Sequence, residues 1–291
     1  MRRMIAAFLL MALASAAHAN QKLLYEPTFV SIELPAGGQA KLEAFVVRPN
    51  RPGKFPLVVV VHGTPRGSGG EFRARIAQMS PDFHIGIAEA FAERGYAAVS
   101  IMRRGFGHSS GPYAEHDSGG CNHRDYERVG RISAQDVLGA TAALRNEPWV
   151  DPERILLLGH STGGMAVIAA GAANPLGVVG ILSFAGGSGS VGPDQVCSED
   201  RLIGAFKAFG ATARIPALWV YAENDHHFGP DLARRMFDAY RSGGAPAQLV
   251  MLPPVGRDGH MALPTAPLGV IWPPMAAFLA SLHLPTERHV E

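Results

Sequence analysis

Arg154-Ile155-Leu156-Leu157-Leu158-Gly159-His160-Ser161-Thr162-Gly163-Gly164-Met165-Ala166 decides the fold. An apolar run over 154–158 reads as a buried strand, and the small, apolar residues over 161–173 read as a helix. Between them stands Gly-x-Ser-x-Gly. A serine on so sharp a strand-to-helix turn brings backbone against backbone, so the residues two before and two after it must be small, as Gly159 and Gly163 are. In a chain with 34 glycines the motif alone is weak, and an ordinary Gly/Ser turn is the bland alternative. Its position between a strand and a helix gives it weight, because that is where a serine hydroxyl is held out above the end of a sheet.

Outward from this turn, strands and helices alternate. The β-branched run over 57–61 reads as a strand buried on both faces. It is preceded by a hairpin over 29–34 and 41–47 that turns at Pro35-Ala36-Gly37-Gly38. Further strands are expected over 97–102, 178–184, 217–222 and 247–252. Helices are expected over 87–94, 133–146, 230–240 and 274–282. The pattern predicts an α/β fold with a mostly parallel central sheet and helices on both faces. No linker-like shift in composition breaks it, so residues 20–291 read as one domain. Two irregular stretches, 103–131 and 186–210, follow the carboxyl ends of strands, the side on which such sheets bind ligands, and are candidate lids or pocket walls.

Composition narrows the function. At 47% hydrophobic and 18% charged residues the chain can bury a large core, and a formal charge of +1 leaves no basic field for nucleic acid. Residues 1–19 differ from the rest: Arg2 and Arg3 precede an apolar run over 4–17 that closes on Ala17-His18-Ala19. This reads as a signal peptide cleaved after Ala19, and the run is too short to span hydrocarbon. The mature chain is therefore expected to be periplasmic or secreted, with no membrane span. An oxidising compartment favours a disulfide between Cys121 and Cys197. It would close a loop of 76 residues, worth about 4–5 kcal/mol in the chain-entropy account. Cys121-Asn122-His123 with His116 fits no familiar zinc spacing, and no metal is expected.

A serine hydroxyl attacks only when a base takes its proton, and the base needs an acid or carbonyl to fix its tautomer. Asp225 follows the strand at 217–222 and His260 follows the strand at 247–252. The order Ser161, Asp225, His260 places each residue on a loop beyond the carboxyl end of a strand. Among the other histidines, His18 lies in the signal peptide, His283 and His289 lie in the tail, His160 flanks the serine, and His226 and His227 adjoin the acid. Glu223, Asp231 and Asp258 are rival acids, although Asp231 has an ordinary role near a helix N-terminus. For an oxyanion, one amide donor is expected at Thr162. A second is expected at Thr64 in Val61-His62-Gly63-Thr64-Pro65, where Pro65 has no N–H. Arg103 and Arg104 could bind a substrate carboxylate, and a solvated loop is the alternative.

With these elements in this order, the chain resembles the α/β-hydrolase superfamily over residues 40–282. Trp149-Val150-Asp151-Pro152-Glu153-Arg154-Ile155 leading into Gly159-His160-Ser161-Thr162-Gly163-Gly164 is similar to its dienelactone hydrolase-like and prolyl oligopeptidase-like branch. The resemblance implies Ser161 as nucleophile, Asp225 as acid, His260 as base, and the Thr64 and Thr162 amides as oxyanion hole. It departs from dienelactone hydrolase proper, which carries cysteine at the nucleophile, and no propeller precedes the domain as in the oligopeptidases. The expected activity is hydrolysis of a small acyl substrate, a carboxylic ester first, without a cofactor. A small-peptide or aminoacyl hydrolase with the same three residues is one alternative. A binding protein on an inert scaffold is another.

Overall fold

The computed structural model describes residues 22–35, 37–113, 115 and 119–289. The expected signal peptide and His116 lie outside the described residues. Eight strands form one sheet: β1 (Leu23–Glu33), β2 (Gln39–Pro49), β3 (Phe55–Val61), β4 (Ala97–Ile101), β5 (Val150–His160), β6 (Val178–Phe184), β9 (Ala217–Ala222) and β10 (Ala247–Leu252). Their spatial order is β1-β2-β4-β3-β5-β6-β9-β10. The first hairpin and the β2–β4 pair are antiparallel, and every pair from β4 to β10 is parallel. The sheet is therefore the mostly parallel one expected, with an antiparallel edge.

Alternation along β3 accounts for both layers of core. Leu57, Val59 and Val61 face one hydrophobic cluster, while Val58 and Val60 face the other. The first cluster is closed by α3 (Tyr126–Leu144), α4 (Thr162–Gly171), α5 (Glu199–Thr212) and α6 (Pro230–Ser242). The second is closed by α2 (Ile85–Ala92), the short α7 (Ala262–Thr265) and α8 (Leu268–Ser281). A helix α1 (Gly69–Ala77), absent from the sequence reading, lies between β3 and α2. Among the described residues no single helix is long and apolar enough to cross a membrane.

Several elements are longer than the sequence suggests. The opening strands extend to Leu23 and Pro49, and β5 begins at Val150 because its pairing with β3 skips from Asp151 to Ile155 through an irregularity. Helix α3 starts at Tyr126 rather than at residue 133, capped by the Asp125 carboxylate, which accepts from the Arg128 N–H. Gly130 in its second turn serves close packing: a Cβ there would come within 2.6 Å of Phe209. Helix α8 starts at Leu268 rather than at residue 274 and carries Pro273 and Pro274 inside it.

The stretch 186–210 is not irregular throughout. It holds a small hairpin, β7 (Ser190–Gly192) with β8 (Gln195–Val196), and most of α5. Leu202, Ala205, Phe206 and Phe209 are buried at helical spacing along α5. Cys121 and Cys197 form a disulfide, which fastens the loop before α3 to the hairpin before α5. Two hydrogen bonds reinforce the junction: Tyr126 Oη donates to the Cys197 carbonyl, and Ser198 Oγ donates to the Cys121 carbonyl at 2.5 Å.

Candidate active site

Ser161 stands at the carboxyl end of β5 with φ 57°, in the left-handed region that a side chain enters only under constraint. The constraint is packing of backbone on backbone. A Cβ at Gly159 would lie 2.1 Å from the Gly163 carbonyl oxygen, and one at Gly163 would lie 2.3 Å from that of Val61. No other residue fits either place. The Ser161 N–H donates to the Phe184 carbonyl at the end of β6, which fixes the turn against the sheet.

The structure brings Ser161, His260 and Asp225 together. Ser161 Oγ lies 2.9 Å from His260 Nε2, and His260 Nδ1 lies 3.2 Å from Asp225 Oδ2. All three are buried. Asp225 Oδ1 accepts the backbone N–H groups of His227 and Phe228 at 2.7 and 2.9 Å. Burial alone pushes the Asp225 carboxyl up. The His260 hydrogen bond and charge and these two amides outweigh it, and hold the carboxyl below its ordinary value. His260 Nδ1 thus donates to a carboxylate, which leaves Nε2 to accept from the serine hydroxyl. His160 Nε2 donates to the His260 carbonyl at 2.7 Å and steadies the loop from within.

The rival acids are placed elsewhere. Glu223 and Asp231 are exposed. Asp258 Oδ1 accepts the backbone N–H groups of His226 and His260 at 3.1 and 3.0 Å, so it shapes the histidine loop rather than meeting the ring.

Thr162 is the first residue of α4, so its N–H has no acceptor within the helix. Thr64 lies beside it, the two hydroxyl oxygens being 2.8 Å apart. Both residues expected to supply oxyanion donors therefore lie together, and with Ser161 they line one cavity.

Arg103 and Arg104 are turned inward, contrary to the expectation that they contact substrate. Arg103 is buried: Nε meets Glu115 at 2.6 Å, Nη1 donates to the His62 carbonyl, and Nη2 donates to the hydroxyls of Thr64 and Thr162 at 3.1 and 3.0 Å. It braces both threonines from behind. His62 completes the brace by donating from Nδ1 to the Gly63 carbonyl and accepting the Arg103 N–H at Nε2. Arg104 pairs with Asp136 at 2.5 Å. Neither arginine lines a cavity beside Ser161.

Two residues that the sequence reading set aside or passed over belong to the site. His227 stacks on His260 with ring centroids 3.7 Å apart and planes 9° from parallel, and its Nδ1 lies 3.4 Å from Asp258. Burial, then the charges of His260 and Arg66, lower its pKa to about 4. Asp225, His227 and His260 could by proximity alone form a metal site. The stacked rings argue against it, since an ion in the plane of one imidazole lies far out of the plane of the other. Arg66, on the loop after β3, lines the space on both sides of Ser161. No spacing rule identifies either residue, because each acts through where its loop folds.

The sequence pattern of the alpha/beta hydrolase family matches residues 58–286, from β3 to beyond α8. The chain belongs to the alpha/beta hydrolase family. No curated protein sequence matches this hydrolase. Solved structures similar to it include a putative dienelactone hydrolase from Klebsiella pneumoniae, with 18% identity and a TM-score of 0.56 over 89% of this chain and 99% of that one. An acetyl xylan esterase from Paenibacillus sp. R4 is 16% identical, with a TM-score of 0.58 over 94% and 93% of the two chains. An acylaminoacyl peptidase from Pyrococcus horikoshii is 18% identical, with a TM-score of 0.59. The match covers 92% of this hydrolase but only 42% of the peptidase. At these identities the likeness is one of fold.

Proposed function

We propose that this hydrolase is a serine esterase. Ser161 Oγ attacks the acyl carbon as its proton passes to His260 Nε2, and Asp225 holds the ring in the tautomer that can accept it. The oxyanion forms against the Thr64 and Thr162 amides. Its collapse expels the alcohol, which takes the proton from His260. Water then repeats the sequence on the acyl-enzyme and releases the acid.

The observation that carries this reading is the unbroken chain from Ser161 Oγ through His260 to Asp225, at 2.9 and 3.2 Å, on a strained turn. Such an alignment is what proton transfer from the serine hydroxyl requires. An ester is favoured over an amide because an alkoxide leaves more readily than an amine.

Ser161→Ala should lower kcat on 4-nitrophenyl acetate on the order of 10⁶-fold while leaving the fold intact. A fluorophosphonate should label wild type at Ser161 only. An active alanine variant, or a fully unlabelled wild type, rejects the reading and favours an inert scaffold.

We infer further that the chain is exported. The basic start, apolar run and Ala17-His18-Ala19 support this, as does a disulfide of the kind that persists in oxidising compartments. The exported protein should begin at Asn20 by N-terminal mass spectrometry, and a retained Met1 would contradict export by cleavage.

A further inference from the structure

Ser161 lies where two cavities of different chemistry meet. One, of about 410 Å³, is lined by Ser161, Thr162 and the insertions, with Arg66 and Arg124 among its walls and the hydroxyls of Ser68, Ser188 and Ser190. The other, of about 560 Å³, is lined by Ser161, His260, Pro65, Met79, Phe83 and Met261. Arg66, Arg75 and Asp82 also border this second cavity, but Arg66 directs Nε and Nη2 to Ser190, which lines the first cavity and not the second.

His260 lines only the second cavity. The departing alcohol oxygen must take its proton from His260 Nε2, so the alcohol part of an ester belongs on that apolar side. The acyl part, bonded to Ser161 Oγ with its oxyanion at Thr64 and Thr162, is then directed into the first cavity.

The first cavity carries a positive charge with no counterpart of its own. Arg66 donates from Nε and Nη2 to Ser190 Oγ at 3.0 and 2.7 Å, and from Nη2 to the His226 carbonyl at 2.9 Å. All these partners are neutral, and among the described residues no carboxylate pairs with it. Both N–H bonds of its Nη1 remain uncommitted. The one carboxylate in that lining, Glu115, is already neutralised by buried Arg103. A half-buried guanidinium in such surroundings lacks the counter-charge that would balance its desolvation, and an anionic ligand supplies it.

We propose, building on the esterase reading, that the preferred substrates are esters of an apolar alcohol with a short acid bearing a second, anionic group, such as a dicarboxylic acid monoester. The free carboxylate is held by Arg66 in the polar cavity, and the alcohol fills the apolar one.

Three esters test this: monobenzyl succinate; its neutral isostere benzyl 4-methylpentanoate; and the 4-methylpentanoyl ester of 4-(hydroxymethyl)benzoate, whose charge is on the alcohol side. Wild type should favour the succinate over the isostere by about tenfold or more in kcat/KM at low salt, less at high salt. The benzoate should be the poorest of the three. Arg66→Gln should bring the succinate-to-isostere ratio close to one, and Arg66→Lys should retain part of it. Equal or faster turnover of the isostere by wild type, or a ratio that survives in Arg66→Gln, overturns the proposal while leaving the esterase reading in place. If no ester is cleaved and the fluorophosphonate does not label Ser161, both fall together.

Discussion

At the scale of single residues, the site separates what the chain order reveals from what it conceals. The meeting of Ser161, Asp225 and His260 was legible because each lies on the turn or loop that follows a strand, and a parallel sheet sends every such loop to one edge. Glu223 was a fair rival in the sequence and is no rival in space. Asp225→Asn should lower kcat by about 10⁴-fold, because the amide no longer holds the tautomer that leaves Nε2 free to accept, whereas Glu223→Gln should leave kcat within a few-fold. Steady-state kinetics on one ester compares the two, and a larger loss in Glu223→Gln would move the acid. Arg103 was visible as an arginine after a strand, but its role was not. Whether such a guanidinium faces solvent or the core depends on a partner like Glu115, which here reaches it from a loop. The stacking of His227 on His260 was likewise out of reach, since the residue next to an acid carries no signal of where its ring will lie.

At the scale of elements, the stretches expected to be irregular, 103–131 and 186–210, each hold part of a helix that contains a glycine, Gly130 in α3 and Gly210 in α5. Each glycine sits where another part of the chain comes too near for a side chain, at Phe209 for the first and at the Tyr240 carbonyl for the second. The helical spacing of Leu202, Ala205, Phe206 and Phe209 was present in the sequence and outweighs the glycine, so α5 was recoverable from periodicity alone. The disulfide belongs to this scale because it joins two insertions rather than two strands. Replacing both cysteines, Cys121→Ser with Cys197→Ser, should cost up to about 4–5 kcal/mol of stability. It should also raise KM more than it lowers kcat, because Arg124 and Ser190, which border the polar cavity, lie on the two tethered segments. Urea unfolding and ester kinetics on the double variant measure both effects. An unchanged KM would mean that the walls hold their places without the bond.

Across the whole molecule, buried histidines make the fold sensitive to acid. Burial lowers His84 to about 4 and, with the charges of His260 and Arg66, His227 to about 4. Burial, then the Arg103 charge, holds His62 well below its ordinary value, and burial, then His260, does the same to His160. An unfolded chain protonates these rings near pH 6.5, so between about 6.5 and 4 the unfolded state binds more protons than the native one. Stability therefore falls as pH drops through that window. Asp225 acts in the same direction at lower pH, since its depressed carboxyl loses its contribution only as pH falls through the native value. The urea midpoint should decline steadily from pH 7 to pH 4.5, and less steeply in His84→Leu. A midpoint flat over that range would contradict the neutral, buried state of these rings.

The bond between Cys121 and Cys197 also determines how this scaffold can be remodelled. Since the two segments it unites are one covalent piece resting on the strand ends, a graft that exchanges either alone strands a half-cystine and leaves its neighbour facing a foreign surface. Libraries that vary specificity must therefore transplant the pair as a cassette, while the layers beneath can serve unchanged as chassis.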